Sequence, residues 1–549
     1  MNGRRNSTQS TYKRWRNPAQ WTDADSAAHA DEATDNEICT IAAGGDQYAT
    51  SSDTNTTEET FTINEAMEVI GFGKFQWKMY LLTGLAWISD AMVMMTPVIV
   101  GPALHCEWRI PAYQVALITS VVFIGMGIGS PVWGKVSDKY GRKVGLAMCL
   151  SWTLFYGILS AFSPVYGWLL ALRGLVGVGI GGIGQSVTLY SEFLPVKGRS
   201  TAIMMLLAFW AAGGVFEVLL ALLVMPTLGW RWLIGLSTIP MGLFLCFFSW
   251  LPESPRFDVL SGRREKAIVT LTRIAKENNK SLPQGRMVEY EQIEHGKIKN
   301  LFNSQYWKTT ILLWFIWLSN TFSYFGIVLL TTELFRAGDS CWVTTTDKIE
   351  PRCSLECKYS TAADYKDILY TSLAELPGLF IVVLAVDRIG RKKTMALCFF
   401  MYSLSLLPLY ACIGRIALTI FISIARAFIA AGFQMVFVYT PEVFPTENRA
   451  SAMGICSAMS RVGALVSPFV AQVLLRTSVY PTISLYCGCS LLAGIACLNL
   501  PFETLGKNLR ESHLDQEDEG QTIKTAIHSN GTTLYEQEIP VDQQGRMNK

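Results

Sequence analysis

The chain of 549 residues is half hydrophobic and 12% aromatic but only 16% charged, with a mean hydropathy of +0.28. Soluble domains carry about 25% charged residues, so the composition excludes a soluble multidomain protein. It also excludes a disordered chain, which holds too little apolar sequence to collapse. The net charge of +2 offers nucleic acid no field, which leaves a polytopic membrane protein.

Residues 1–75 are rich in Ser, Thr, Asp and Asn and lack the apolar core of a cleaved leader, so they are expected to form a disordered cytoplasmic tail. Apolar runs follow at about 79–101, 115–134, 144–162, 167–190, 201–225 and 231–251, then at 310–332, 368–386, 394–412, 416–439, 453–475 and 480–500. Each approaches the ~20 residues needed to cross a bilayer, and runs this continuous satisfy their backbone in lipid as helices. The expected architecture is all-α, with twelve transmembrane helices. Residues 76–251 form one six-helix half and 309–504 the other, the latter with an outer loop at 335–366. A polar linker spans 252–308, and 505–549 form a second cytoplasmic tail. Within the linker, Ala267, Ile268, Leu271, Ile274 and Ala275 predict an amphipathic helix.

Basic residues set the orientation. Lys135, Lys139, Arg142 and Lys143 follow the second run, Arg388, Arg391, Lys392 and Lys393 follow the eighth, and eleven lie between Arg256 and Lys308. The opposite turns are poor in them, which predicts that both termini are cytoplasmic.

The halves repeat. Asp138-x-x-Gly141-Arg142-Lys143 recurs as Asp387-x-x-Gly390-Arg391-Lys392, and Glu192-x-x-Pro195-x-x-x-Arg199 as Glu442-x-x-Pro445-x-x-x-Arg449. Leu251-Pro252-Glu253-Ser254 recurs, with one insertion, as Leu500-Pro501-Phe502-Glu503-Thr504. Parallel repeats of this kind carry solute between them near the bilayer midplane.

With these motifs the chain resembles the major facilitator superfamily, and Pro252-Glu253-Ser254-Pro255-Arg256, Glu442-Val443-Phe444-Pro445-Thr446 and Pro501-Phe502-Glu503-Thr504-Leu505-Gly506 resemble its sugar and organic-ion branch. Ile70-Gly71-Phe72-Gly73, Cys106-Glu107-Trp108-Arg109 and Leu313-Trp314-Phe315-Ile316-Trp317 carry a likeness to vesicle members of that branch. The likeness covers roughly residues 60–510. It implies alternating access by a secondary transporter in a secretory or synaptic vesicle membrane, with the plasma membrane as the alternative. A weakly transporting or non-transporting vesicle protein, acting as a ligand receptor or trafficking component, is the rival expectation. By the same resemblance, Asp138, Arg142, Glu192, Arg199, Glu253, Arg256 and their counterparts Asp387, Arg391, Glu442 and Arg449 gate the cytoplasmic side.

Charges within apolar runs are costly and mark a pathway or a partner. They are Asp90, Arg173, Glu217, Glu375, Arg426 and Arg461. The resemblance places an arginine at Arg461 in carriers of organic anions, and a guanidinium grips a carboxylate or phosphate bidentately. The alternative is a buried pair with Asp90 or Glu375. Asp90 and Glu217 are candidates for a coupled proton or cation, because burial favours the neutral acid; Glu217 equally suits pairing with Arg173 or Arg426. Trp317, Asn320 and Tyr324 share one face of the seventh run and suit an aromatic or amphiphilic solute.

Gly177-x-Gly179-x-x-Gly182 matches a dinucleotide fingerprint by letters alone, since it lies inside an apolar run; close helix approach explains it better. No cofactor, metal cluster or catalytic grouping is expected, and the chain is expected to be a monomer. Cys106, Cys341, Cys353 and Cys357 fall on the outer side, where at least one disulfide involving the 335–366 loop is expected.

Overall fold

The computed structural model describes residues 60–195, 198–288, 301–303, 306–337, 359–411, 413–444, 446–475 and 478–504. Before the first span, strand β1 (Thr60–Phe61) pairs in parallel with β2 (Arg286–Met287) of the linker. Helix α1 (Ile63–Ile70) follows, its first turn closed by a capping box between Thr62 and Glu65. The sequence reading of a disordered tail through residue 75 is corrected here: Phe61, Ala66, Met67 and Ile70 are buried, and their apolar contact offsets the cost of ordering the segment. Residues 1–59 lie outside the described residues.

Among the described residues, twelve helices are long and apolar enough to span a membrane, matching the twelve expected runs. Span 1 is α2 (Lys74–Trp108), span 2 α3 (Ala112–Tyr140) and span 3 α4 (Arg142–Ala161). Span 4 combines α5 (Tyr166–Ile180) and α6 (Gln185–Glu192), span 5 is α7 (Arg199–Val224), and span 6 contains α8 (Trp230–Leu236) and α9 (Ile239–Phe247). The linker holds α10 (Pro255–Leu260) and α11 (Arg264–Glu277). Span 7 is α12 (Trp307–Ala337), span 8 joins α13 (Ala362–Leu373) to α14 (Glu375–Ile389), and span 9 is α15 (Arg391–Leu406). Span 10 is α16 (Arg415–Val443), span 11 is α17 (Thr446–Pro468) continued by a π-helical turn at Phe469–Leu474, and span 12 is α18 (Val479–Leu498).

Several spans are broken where the sequence pattern reads as continuous. Span 4 loosens over Gly181-Gly182-Ile183-Gly184, where three glycines hold the helix weakly. Pro468 precedes the π turn of span 11, consistent with the backbone adjustments that proline imposes inside membranes. In α11, Ala267, Leu271, Ile274 and Ala275 are buried as expected, but Ile268 faces outward.

The glycines of the false dinucleotide fingerprint are packing residues. A Cβ at Gly177 would lie 2.2 Å from the Val122 carbonyl oxygen, and one at Gly129 would lie 1.9 Å from that of Val178. Spans 2 and 4 therefore meet backbone to backbone. Spans 1 and 7 are the most enclosed, with 83% and 72% of their apolar windows buried; they form the centre between the two halves.

Candidate functional site

At the end of the bundle bearing the repeated motifs, the two halves build the same device. Gly141 (φ +111°) and Gly390 (φ +95°) turn the chain between spans 2 and 3 and between spans 8 and 9. In the first half, the backbone N–H groups of Lys143 and Ser254 donate to Glu253 Oε1, each at 3.0 Å. In the second, those of Arg391 and Thr504 donate to Glu503 Oε1 at 2.9 and 3.1 Å. A Cβ at Gly141 would lie 2.3 Å from Glu253 Oε2, so the bare turn leaves room for the carboxylate. Arg142 pairs with Asp138 and lies 3.7 Å from Glu192, while Arg391 lies 3.4 Å from Glu442. Arg256 donates to Asn64 Oδ1 of α1 at 2.5 Å, and Arg199 to the Leu194 carbonyl at 3.0 Å. The Asp387 side chain lies outside the described residues. Glu503 is the member of this set that reading for charged pairs passed over, although the Leu-Pro repeat pointed to it.

At mid-depth the arrangement is asymmetric. Glu375 and Arg426 form a buried pair, with Arg426 Nε and Nη2 donating to Glu375 Oε1 at 2.9 and 2.5 Å. Arg426 Nη1 also donates to Thr371 Oγ1 at 3.1 Å, and the Tyr324 hydroxyl donates to Glu375 Oε2 at 3.2 Å. Trp210 of the first half donates to the Tyr324 hydroxyl at 3.0 Å, which ties span 5 to this network. Nothing in the sequence singled out Trp210, because its role depends on which helices face each other.

Glu217 sits inside the first half. Its carboxylate accepts from Ser237 Oγ at 2.7 and 2.9 Å and from Thr96 Oγ1 at 3.0 Å, with Arg173 as its electrostatic partner. Trp317 Nε1 donates to Thr440 Oγ1 at 2.9 Å within the second half. Asn320 is buried, with neither amide atom hydrogen bonded.

Asp90 and Arg461 stand apart from these networks. Asp90, on span 1, is buried with its Oδ1 unpartnered. Arg461, on span 11, is its electrostatic partner, yet no direct ion pair joins them. The guanidinium instead reaches across to span 2, where Nη1 lies 3.8 Å from Met126 Sδ. The halves also touch through Ser120 Oγ, which donates to the Leu465 carbonyl at 3.0 Å, and through Phe123 and Phe325, whose rings lie edge-on at 4.8 Å. At the end opposite the motifs, Pro102 and His105 of span 1, Val115 of span 2, Glu333 of span 7 and Gln472 of span 11 line a crevice with no room for a water-sized probe.

Cys106 is disulfide-bonded, while the other seven described cysteines are free. Cys341, Cys353 and Cys357 lie outside the described residues, as does most of the 335–366 loop. No group of three or more metal-binding side chains occurs among the described residues.

Residues 46–339 match the family description "Sugar (and other) transporter", and residues 368–528 match "Major Facilitator Superfamily". The chain is 56% identical over 480 residues to the synaptic vesicle 2-related protein of Xenopus laevis, a match covering 87% of each chain. It is 58% identical over 459 residues to that of Rattus norvegicus, covering 83% of this chain and 84% of the relative. It is also 38% identical over 491 residues to organic cation/carnitine transporter 7 of Arabidopsis thaliana, covering 82% and 96%. Among solved structures, the xylose transporter XylE of E. coli in a partially occluded inward-open conformation superposes with a TM-score of 0.61 at 18% identity, covering 79% of this chain and all of that one.

Proposed function

Since the chain belongs to the major facilitator superfamily, we propose that it is a secondary transporter that moves a small organic solute, an organic anion, by alternating access between its two halves. The observation that carries this reading is the relation of Asp90 to Arg461. Opposite charges from opposite halves attract each other at mid-depth without closing into an ion pair. A solute carboxylate or phosphate would complete the Arg461 guanidinium. Asp90, with a free carboxylate oxygen, is then the better placed of the two acids for a coupled proton or cation, because Glu217 already holds three hydroxyl contacts. A proton:xylose symporter is among the solved structures of this fold, which is in keeping with proton coupling.

The basic-rich motif end faces the cytoplasm, with both termini on that side. The Arg142–Glu192 and Arg391–Glu442 pairs, with Glu253, Arg256, Arg199, Arg449 and Asp387, bias the equilibrium between inward and outward states without touching solute. The membrane is that of a secretory or synaptic vesicle, in line with the names of the synaptic vesicle relatives.

Those names also support a second reading, a vesicle protein that binds a ligand with little transport. Solute flux into proteoliposomes separates the two. Flux that depends on a gradient and is abolished in a folded Arg461→Ala variant supports the transporter. Saturable ligand stabilisation without flux under any gradient removes it in favour of the receptor.

A further inference from the structure

Span 11 leaves regular helical geometry as it reaches the end opposite the motifs. Its π-helical turn at Phe469–Leu474 carries Gln472, which is only 2% exposed. Neither amide atom of this side chain, Oε1 or Nε2, has a hydrogen-bond partner. The amide lies against the first half: a Cβ at Gly101 of span 1 would stand 3.9 Å from Gln472 Nε2 and 2.9 Å from Val115 Cγ1 of span 2. A side chain at position 101 would crowd Val115, so the bare glycine lets this end close. The other polar side chains of the crevice are engaged elsewhere. His105 Nδ1 lies 2.6 Å from the Ile110 carbonyl oxygen, and Glu333 has an interaction of its own.

An amide buried without partners is costly, because any arrangement that exposes it lets water satisfy both its groups. Water cannot do so in the crevice, which is too narrow to admit a molecule. The cost therefore belongs to the arrangement in which spans 1 and 2 of the first half close on spans 7 and 11 of the second. Seven residues earlier on span 11, the same seam is satisfied, with Ser120 Oγ donating to the Leu465 carbonyl at 3.0 Å. π turns are rare and recur at functional sites, and this one carries an unpaired amide into the junction between the halves. We propose that Gln472 is a release device for the closure of this end: its unpaired amide raises the free energy of the closed arrangement, and opening to water restores its hydrogen bonds. Gln472 thereby biases the equilibrium between closed and open states without binding solute. This role rests on the alternating-access reading and adds to it the residue that sets how readily the end opposite the motifs opens.

The test uses the purified full-length protein in lipid nanodiscs, with a reporter cysteine in the crevice (Val115→Cys). Labelling of that position by a hydrophilic maleimide, scored by peptide mass spectrometry, measures how often this end opens. Gln472→Met and Gln472→Leu keep most of the side chain's bulk and remove its polar groups. Each should slow labelling about tenfold, the equivalent of one polar group no longer left unpaired, and should hold or raise the apparent Tm at a fixed scan rate. Unchanged or faster labelling, or a lowered Tm, in either folded variant overturns the role assigned to Gln472, as does the failure of both to fold. No solute is used, so the two readings fail separately. A protein whose labelling slows as expected, but which shows no flux under any gradient, keeps the release device and loses the transporter reading.

Discussion

Replacing Glu375 by glutamine tests whether this acid is a structural partner or a solute contact. In the structure, one carboxylate oxygen accepts two Arg426 N–H groups at 2.9 and 2.5 Å, and the other accepts the Tyr324 hydroxyl at 3.2 Å. A glutamine oxygen can still receive Arg426. Its NH2 group then faces the Tyr324 hydroxyl, which already accepts Trp210 Nε1, so the hydroxyl proton loses its acceptor. The larger loss is charge: Arg426 is left in the interior without compensation. Removing one partner of a buried pair costs about 3–5 kcal/mol, whereas replacing both with apolar groups is often nearly neutral. Glu375→Gln should therefore lower the apparent Tm of the purified protein well below that of Glu375→Met combined with Arg426→Leu. The measurement is thermal unfolding at one fixed scan rate, since unfolding of such a protein is commonly irreversible. A Glu375→Gln protein as stable as wild type, but with weakened ligand-induced stabilisation, would refute the structural assignment and return Glu375 to the solute.

Four further substitutions, with one control, probe the frame around the site. Trp210→Phe removes the bond to Tyr324 that joins the halves, a loss of about 1 kcal/mol; it should change how fast a membrane-impermeant thiol reagent labels a cysteine placed between the halves at the motif end, and an unchanged rate would show that the bond does not bias the equilibrium. Glu253→Ala and Glu503→Ala each strip the acceptor from two backbone N–H groups, so each should cost about 1–2 kcal/mol, in the range of lost helix caps. Clearly unequal losses in chemical denaturation would mean that the duplicated geometry is not energetically equivalent. Gly129→Ala drives a methyl to 1.9 Å from the Val178 carbonyl oxygen and must push spans 2 and 4 apart; it should destabilise by at least the ~1–3 kcal/mol of ordinary overpacking, whereas Gly127→Ala, which meets nothing within 4 Å, serves as the control. Equal yields and Tm for these two variants would argue against the close helix crossing.

The spans were legible because each is a continuous apolar run, and the motif end was legible because its residues sit close together in sequence and recur. The repeated motifs single out Arg142 with Glu192 and Arg391 with Glu442, and the structure pairs them. Partner choice at mid-depth was not legible. Glu375 was an open candidate for Arg461, but the packing of span 8 against span 10 gives it to Arg426. Likewise, the sequence shows Trp317 and Thr440 as an aromatic and a hydroxyl 123 residues apart, and only the docking of span 7 on span 10 makes them partners. The ordered segment at 60–75 was hidden for a related reason. Its polar composition reads as tail, while its few apolar residues find their cover in the linker more than 200 residues away.

The contrast between the ends and the middle of the molecule bears on mechanism. The glycine turn, the acid that caps it and the Arg–Glu pair occur in both halves with nearly the same distances. The mid-depth charges follow the repeat only in part. Arg173 stands 19 residues before Glu192 and Arg426 stands 16 before Glu442, the irregular stretch at 181–184 falling within the longer interval. The arginine thus recurs, but its acid does not: Arg173 has Glu217 of span 5 as its electrostatic partner, without an ion pair, whereas Arg426 pairs directly with Glu375 of span 8. Asp90 belongs to one half and Arg461 to the other. Matched contacts at the motif end suit the proposed alternating access, in which each half would release an equivalent set of bonds. Under the proposed function, mismatched charges at the centre suit recognition, because an acid from one half and a guanidinium from the other would present a polar solute with two different faces. Exchanging Asp90 for a neutral residue of similar shape, in Asp90→Asn, leaves Arg461 without its electrostatic partner; on the proposed transport reading it should alter solute selectivity or ion coupling in proteoliposome flux, and flux unchanged in both respects would remove Asp90 from the proposed site.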